Sequence, residues 1–187
     1  MKKLALAVTL AVTSFASVAE DGKNYIKLEG THYNVFGTEN DKNGVNLTIG
    51  REVTPGIKLD LKQEFRDTSN TQSISNRFET GATVEDKILG LKVGARGAIG
   101  EKFTNGDNYG YWLVEPFVSY DVTKDLSVKG SWRYRNAFDS DKHDQNNTYK
   151  ISAAYNLSKE WTVDGSVGKS TGNTEYTQVG GGLTYKF

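Results

Sequence analysis

Ten stretches of this chain alternate apolar and polar side chains residue by residue, and the last of them runs to the final residue. The clearest spans 57–66. There Ile57, Leu59, Leu61 and Phe65 share one parity, and Lys58, Asp60, Lys62, Glu64 and Arg66 share the other. A period of two places successive side chains on opposite faces of an extended strand. The pattern recurs at 24–36, 45–53, 75–85, 89–99, 109–120, 126–138, 149–157, 161–168 and 176–187. Most of these runs are about 10 to 12 residues long, twice the usual strand of a soluble domain at about 5 or 6. A helix of any length would need a 3.6-residue period, and none is present.

The connections alternate in length as regularly as the strands alternate in polarity. Polar stretches near 37–44, 67–74, 100–108, 139–147 and 170–175 are the longer ones, while 54–56, 85–87, 121–125 and 158–160 are short turns. Ten antiparallel strands joined this way return both ends to one rim. Three local irregularities are expected. The parity is uncertain beyond Gly30, where a bulge would reconcile His32 with Tyr33 and Val35. Strand 109–120 carries aromatics on both parities, so its facing is ambiguous. Pro116 cannot donate to a ladder, which points to a bulge or irregular pairing there.

A soluble two-sheet domain could show any one of these strands with its charges in water. The whole set fits a closed sheet in a bilayer better. A tilted strand needs about 9–11 residues to cross, and in hydrocarbon every backbone group must be paired, so the first strand must meet the last. Mean hydropathy is negative, as expected when only alternate residues face lipid. Tyr25, Phe65, Trp112, Tyr120, Trp132, Tyr134, Tyr149, Tyr155, Trp161, Tyr185 and Phe187 fall mostly on outer positions near strand ends, as two interfacial belts would require. At the N-terminus, Met1-Lys2-Lys3, an apolar run over 4–12 and Ser17-Val18-Ala19 read as a secretory signal peptide cleaved after Ala19. The run is too short for a membrane-spanning helix. The mature chain, 20–187, is one domain with no cysteine, so no disulfide framework exists. Removing Lys2 and Lys3 from the 23 basic residues leaves 21 against 23 acidic ones, a balance that argues against nucleic acid as a partner.

The final stretch, Val179, Gly181, Leu183, Tyr185 and Phe187 on one parity, resembles the C-terminal strand of Gram-negative outer-membrane β-barrels, which typically ends in Phe. The resemblance extends, through pattern, over the whole mature chain. It implies an all-β fold: a transmembrane antiparallel up-and-down barrel of about ten strands, with eight or twelve as alternatives, in the Gram-negative outer membrane. It also implies that Leu183, Tyr185 and Phe187 form the signal read by the barrel-assembly machinery. Trp132-Arg133-Tyr134-Arg135 is similar to a strand of the small acidic-oligosaccharide porins, a family with basic lumens.

Function is then sought on the inward parity. Its basic members are Lys58, Lys62, Arg66, Arg77, Lys92, Arg96, Lys129, Arg133, Arg135 and Lys150, with Lys186 near the end. Its acids are Asp60, Glu64, Glu79 and Glu115, with Glu52 and Asp164. So many charges must be paired or wet. The five arginines fall toward the long-loop side, where a basic mouth would draw small anionic solutes. Two readings follow: a monomeric porin-like channel, or a salt-bridged plug in a structural or adhesion barrel that acts through its loops. An enzyme is not expected. The only histidines are His32 and His143, no Gly-x-Ser-x-Gly stretch occurs, and Asp139, Asp141 and Asp144 lack the spacing of a calcium loop. Catalytic residues, metal and cofactor are therefore all expected to be none, and the expected partners are outer-membrane lipid, the assembly machinery and small solutes.

Overall fold

The computed structural model describes residues 23–35, 41–68, 73–104 and 107–187. The expected leader, 1–19, lies outside the described residues. Ten strands form in order: β1 (Asn24–Val35), β2 (Lys42–Thr54), β3 (Ile57–Thr68), β4 (Ser73–Ile88), β5 (Leu91–Phe103), β6 (Asn108–Asp121), β7 (Leu126–Ala137), β8 (Asn146–Asn156), β9 (Trp161–Gly172) and β10 (Tyr176–Lys186). Each pairs antiparallel with its sequence neighbours, and β1 pairs with β10 to close the barrel. The closure runs from Tyr25↔Lys186 to Val35↔Tyr176. Phe187 completes it, its N–H donating to Asn24 O at 3.0 Å while Asn24 N–H donates to Phe187 O at 3.1 Å. No ladder edge is left open, as hydrocarbon demands.

The parity read from sequence sets the two faces. Leu28, Val45, Leu59, Val84, Ile99, Val128, Ile151, Val167 and Leu183 are exposed on the outside, and the charged residues between them point in. Trp161 and Tyr185 meet at 4.7 Å, with Tyr185 stacked on Phe187, at the rim holding the chain ends. Toward the other rim Tyr134 lies between Trp112 and Trp132, at 5.4 and 6.4 Å. These are the two aromatic belts. Tyr25 is the exception: its ring lies inside, across Gly50, where a Cβ would come within 2.3 Å of it.

The local irregularities match expectation only in part. No bulge follows Gly30. β1 keeps register with both neighbours, so His32 faces out and Tyr33, 3% exposed, faces in. At Pro116 the pairing is irregular, as expected, though without a bulge. The proline pairs in step with Ala95 on β5. On the β7 side the ladder omits Glu115 and Pro116 and resumes in the same register, Val114↔Tyr134 and Phe117↔Ser131. A skipped rung accommodates the missing N–H without an extra residue. The turn expected at 85–87 lies instead at Leu89-Gly90, with φ of 52° and 80°. β4 continues through Ile88, and Leu89 is fully exposed at the tip rather than on a strand. Two consecutive positive φ values match the twist of a two-residue hairpin. A register shift does occur at Glu52–Thr54, beside Pro55. On β6 the odd residues face in, so Tyr109, Tyr111, Leu113 and Phe117 give the interior one apolar wall.

Candidate functional site

The barrel interior is the one place where the inward parity of all ten strands converges. Every basic and acidic residue expected there points into it. Lys58, Asp60, Lys92, Arg96 and Lys129 line its turn-side half, Arg66, Arg77 and Arg135 its loop-side half, and Lys62, Glu64, Glu115, Arg133 and Lys150 the level between. Glu79 is buried against the wall, accepting from Tyr111 Oη at 2.9 Å and from Arg96 at 3.2 Å. Arg96 had been expected on the loop side. Its guanidinium is drawn the other way by two bonds to Asp60, at 2.5 and 3.0 Å.

The lumen divides into a chamber of about 160 Å³ at the loop end, a waist of about 30 Å³, and a chamber of about 560 Å³ at the turn end, beside a further 380 Å³ cavity. Successive cavities share lining residues: Arg66 and Arg135 above the waist, Lys62, Arg133 and Lys150 below it. Ion pairs hold the waist narrow. Glu64 accepts from Arg66 Nε, from Arg77 at 3.4 Å and from Tyr33 Oη at 2.8 Å. Glu115 accepts from Arg133 at 2.6 and 2.7 Å. Arginine forks suit such buried carboxylates because two donors fit one planar group.

The turn-side chamber is different. Its lining carries ten lysine or arginine side chains against five carboxylates. Lys27 bridges Glu29 and Asp164, and Lys58 pairs with Glu85 at 2.7 Å. Among the described residues, Lys62, Lys92, Lys129, Lys150 and Lys186 make no ion pair. Lys129 rests over the Phe117 ring at 3.8 Å. Ammonium groups without carboxylates are tolerable only where water or mobile anions reach them.

Several interior residues were not legible as such. Tyr33, Tyr109, Tyr111 and Tyr176 share their strands' inward parity, but aromatics read as outer residues. Asp144 comes from the β7–β8 connection. Asp139 caps a short 3-10 turn (Ser140–Lys142) by accepting from Asp141 N–H, and His143, in the left-handed region at φ 46°, reverses the chain. Asp144 is thereby turned into the barrel mouth, 6% exposed, accepting from Arg135 at 2.6 Å and Asn146 at 2.9 Å. Burial by itself would raise its carboxyl pKa. The Arg135 guanidinium, with Lys102 and Arg77 behind it, outweighs burial and holds it below the ordinary aspartate value. A depressed folded-state pKa stabilises above the ordinary value and loses that contribution as pH falls through the folded one. The wild-type barrel should therefore resist urea better than Asp144→Asn at pH 7, and the gap should close in acid below the ordinary aspartate range. A gap that widens in acid would contradict this assignment.

Asp139 and Asp141 stay exposed, so the three aspartates do not converge, and among the described residues no cluster of three or more metal-ligating side chains forms. His32 sits on the outer face, 2.9 Å from Asn43, far along the chain from the loop that holds His143. The C-terminal residues Leu183 and Tyr185 face out on β10.

Solved structures share this fold at low identity. The β domain of the Bordetella autotransporter BrkA superposes with a TM-score of 0.53 at 10% identity, covering 90% of this chain and 100% of that one. The NanC porin gives 0.51 at 9%, covering 87% and 100%. The KdgM porin gives 0.49 at 13%, covering 87% and 99%. No curated protein matches the chain. A family model described as outer membrane protein beta-barrel domain matches residues 4–187.

Proposed function

Because the chain belongs to the outer membrane protein beta-barrel domain family, and so resides in the Gram-negative outer membrane, we propose that it is a narrow porin-like channel for small anionic solutes. In this reading the leader 1–19 directs export, the barrel-assembly machinery reads Leu183, Tyr185 and Phe187, and the turn rim faces the periplasm. Each barrel acts alone. The observation that carries the reading is the set of five lysines, Lys62, Lys92, Lys129, Lys150 and Lys186, around a chamber with twice as many cations as carboxylates. A low-dielectric wall focuses such a field and concentrates anions inside.

Planar-bilayer recording under a salt gradient tests this. The folded protein should give small, discrete, anion-selective channels, and replacing Lys62, Lys129 and Lys150 together by glutamine should move the reversal potential toward zero. Silent membranes, or clear cation selectivity, would overturn the proposal. The ion-paired waist of about 30 Å³ favours one second reading, a closed barrel acting through its loops. That reading expects silence.

A further inference from the structure

The loop-side chamber holds more cations than its carboxylates can neutralise. Lys42, Arg66, Arg77, Lys102 and Arg135 line it, and Asp144 is the one carboxylate among its lining residues. Glu64, at the waist, serves Arg66 and Arg77. Among the described residues, five positive groups thus face two negative ones. Arg77 and Arg135 are 5% and 8% exposed, and the Nε of each is buried without a hydrogen-bond partner. Among the described residues, Lys102 donates to Tyr109 Oη, at 2.6 Å. An uncompensated buried guanidinium is costly unless an anion joins it.

We infer that this chamber is a binding site for a compact oxyanion carrying more than one charge, such as sulfate or phosphate, and that Asp144 is its tethered stand-in. The carboxylate of Asp144 already sits on Arg135 as such an anion would. Its Oδ2 is buried and unpartnered, so the fit is incomplete. An oxyanion can present several oxygens at once, to the free Nε groups of Arg77 and Arg135 and to Lys42 and Lys102, where one carboxylate cannot. The chamber, at about 160 Å³, has room for such a group.

Exchange would release Asp144 and the loop it ends. That loop is fastened at both sides by exposed bonds. Lys142 Nζ donates to Asp107 at 2.6 Å, and Gln145 N–H donates to Asn173 Oδ1 at 2.8 Å. Backbone bonds close its two ends, Phe138 N–H to Gly110 O and Asn173 N–H to Gln145 O, each at 3.0 Å. Side-chain bonds in water are easily exchanged, so Arg135, through Asp144, is the strongest side-chain hold on the residues between.

The inference rests on the wet interior of the channel reading but not on conduction, so binding and conductance can fail separately. The test is calorimetric titration of inorganic sulfate into the full barrel in detergent, at constant ionic strength set with chloride. Wild type should bind saturably. Asp144→Asn should bind about tenfold tighter or more, and Arg135→Gln about tenfold weaker or more, the change expected for one hydrogen bond to a charged group. Lys129→Gln, in the other chamber, should weaken binding far less than Arg135→Gln. Hydrogen exchange on wild type is an arm that needs no variant: sulfate should speed exchange across 138–145. Equal or weaker binding by Asp144→Asn, loss of binding with Lys129→Gln but not Arg135→Gln, or saturable binding with no change in loop exchange would each overturn the proposal.

Discussion

Replacing Glu64 by glutamine is expected to destabilise the folded barrel by about 3–5 kcal/mol, the cost of removing one partner from a buried ion pair. Glu64 is 4% exposed and takes donors from Arg66, Arg77 and Tyr33. Glutamine keeps the shape but not the charge. Two guanidiniums, Arg77 buried and Arg66 nearly so, would then face each other across a neutral amide. Tyr33 and Arg66 donate to the same carboxylate oxygen, so an amide oxygen turned toward them would aim the amide nitrogen at Arg77. The comparison is Glu85→Gln, whose partner Lys58 is 30% exposed. Water can take over there, so the expected loss is at most about 1 kcal/mol. Urea unfolding in lipid vesicles measures both. Equal small losses would mean that the waist is hydrated like the rim.

The outer face makes an equally large prediction. Ile151 lies midway along β8 and is 62% exposed on the outside. Arginine at this position should cost about 2–4 kcal/mol, the penalty for a basic side chain at the bilayer midplane of a barrel. Its neighbour Ser152 points the other way and lines the 380 Å³ cavity. Arginine there enters a space already shared by lysines and carboxylates, so Ser152→Arg should cost far less. Adjacent residues with opposite tolerance are what a one-residue change of face produces. Similar losses at the two positions would show that β8 does not separate lipid from water.

How much of this was legible depends on what each face carries. β3 could be read directly because its inward side is charged throughout: Lys58, Asp60, Lys62, Glu64 and Arg66. β6 could not, because its inward side carries Tyr109, Tyr111, Leu113 and Phe117, and an apolar inner wall looks like an outer one. Within the strand, Glu115 and Ser119 alone mark the true parity. The β4–β5 turn was displaced because Glu85-Asp86-Lys87 is charged enough to resemble a turn. Glu85 is in fact an inward residue paired with Lys58, and Gly90, at φ 80°, makes the corner. Asp144 was illegible for a different reason. It stands among exposed acids, and its burial is decided by Arg135, a contact formed only when β7 and β8 come together. Ion-pair partners across strands follow register, which alternation alone does not supply.

The most direct test of the alternation itself uses the absence of cysteine from the chain. Single cysteines placed in turn at 149–155 on β8, in protein folded into lipid vesicles, can be probed with a small charged thiol reagent and with a lipid-dissolved quencher. Lys150, Ser152 and Ala154 should react with the charged reagent and escape the quencher. Ile151 and Ala153 should do the reverse. A charged reagent that modifies both parities alike would contradict a closed sheet with hydrocarbon on one face and water on the other.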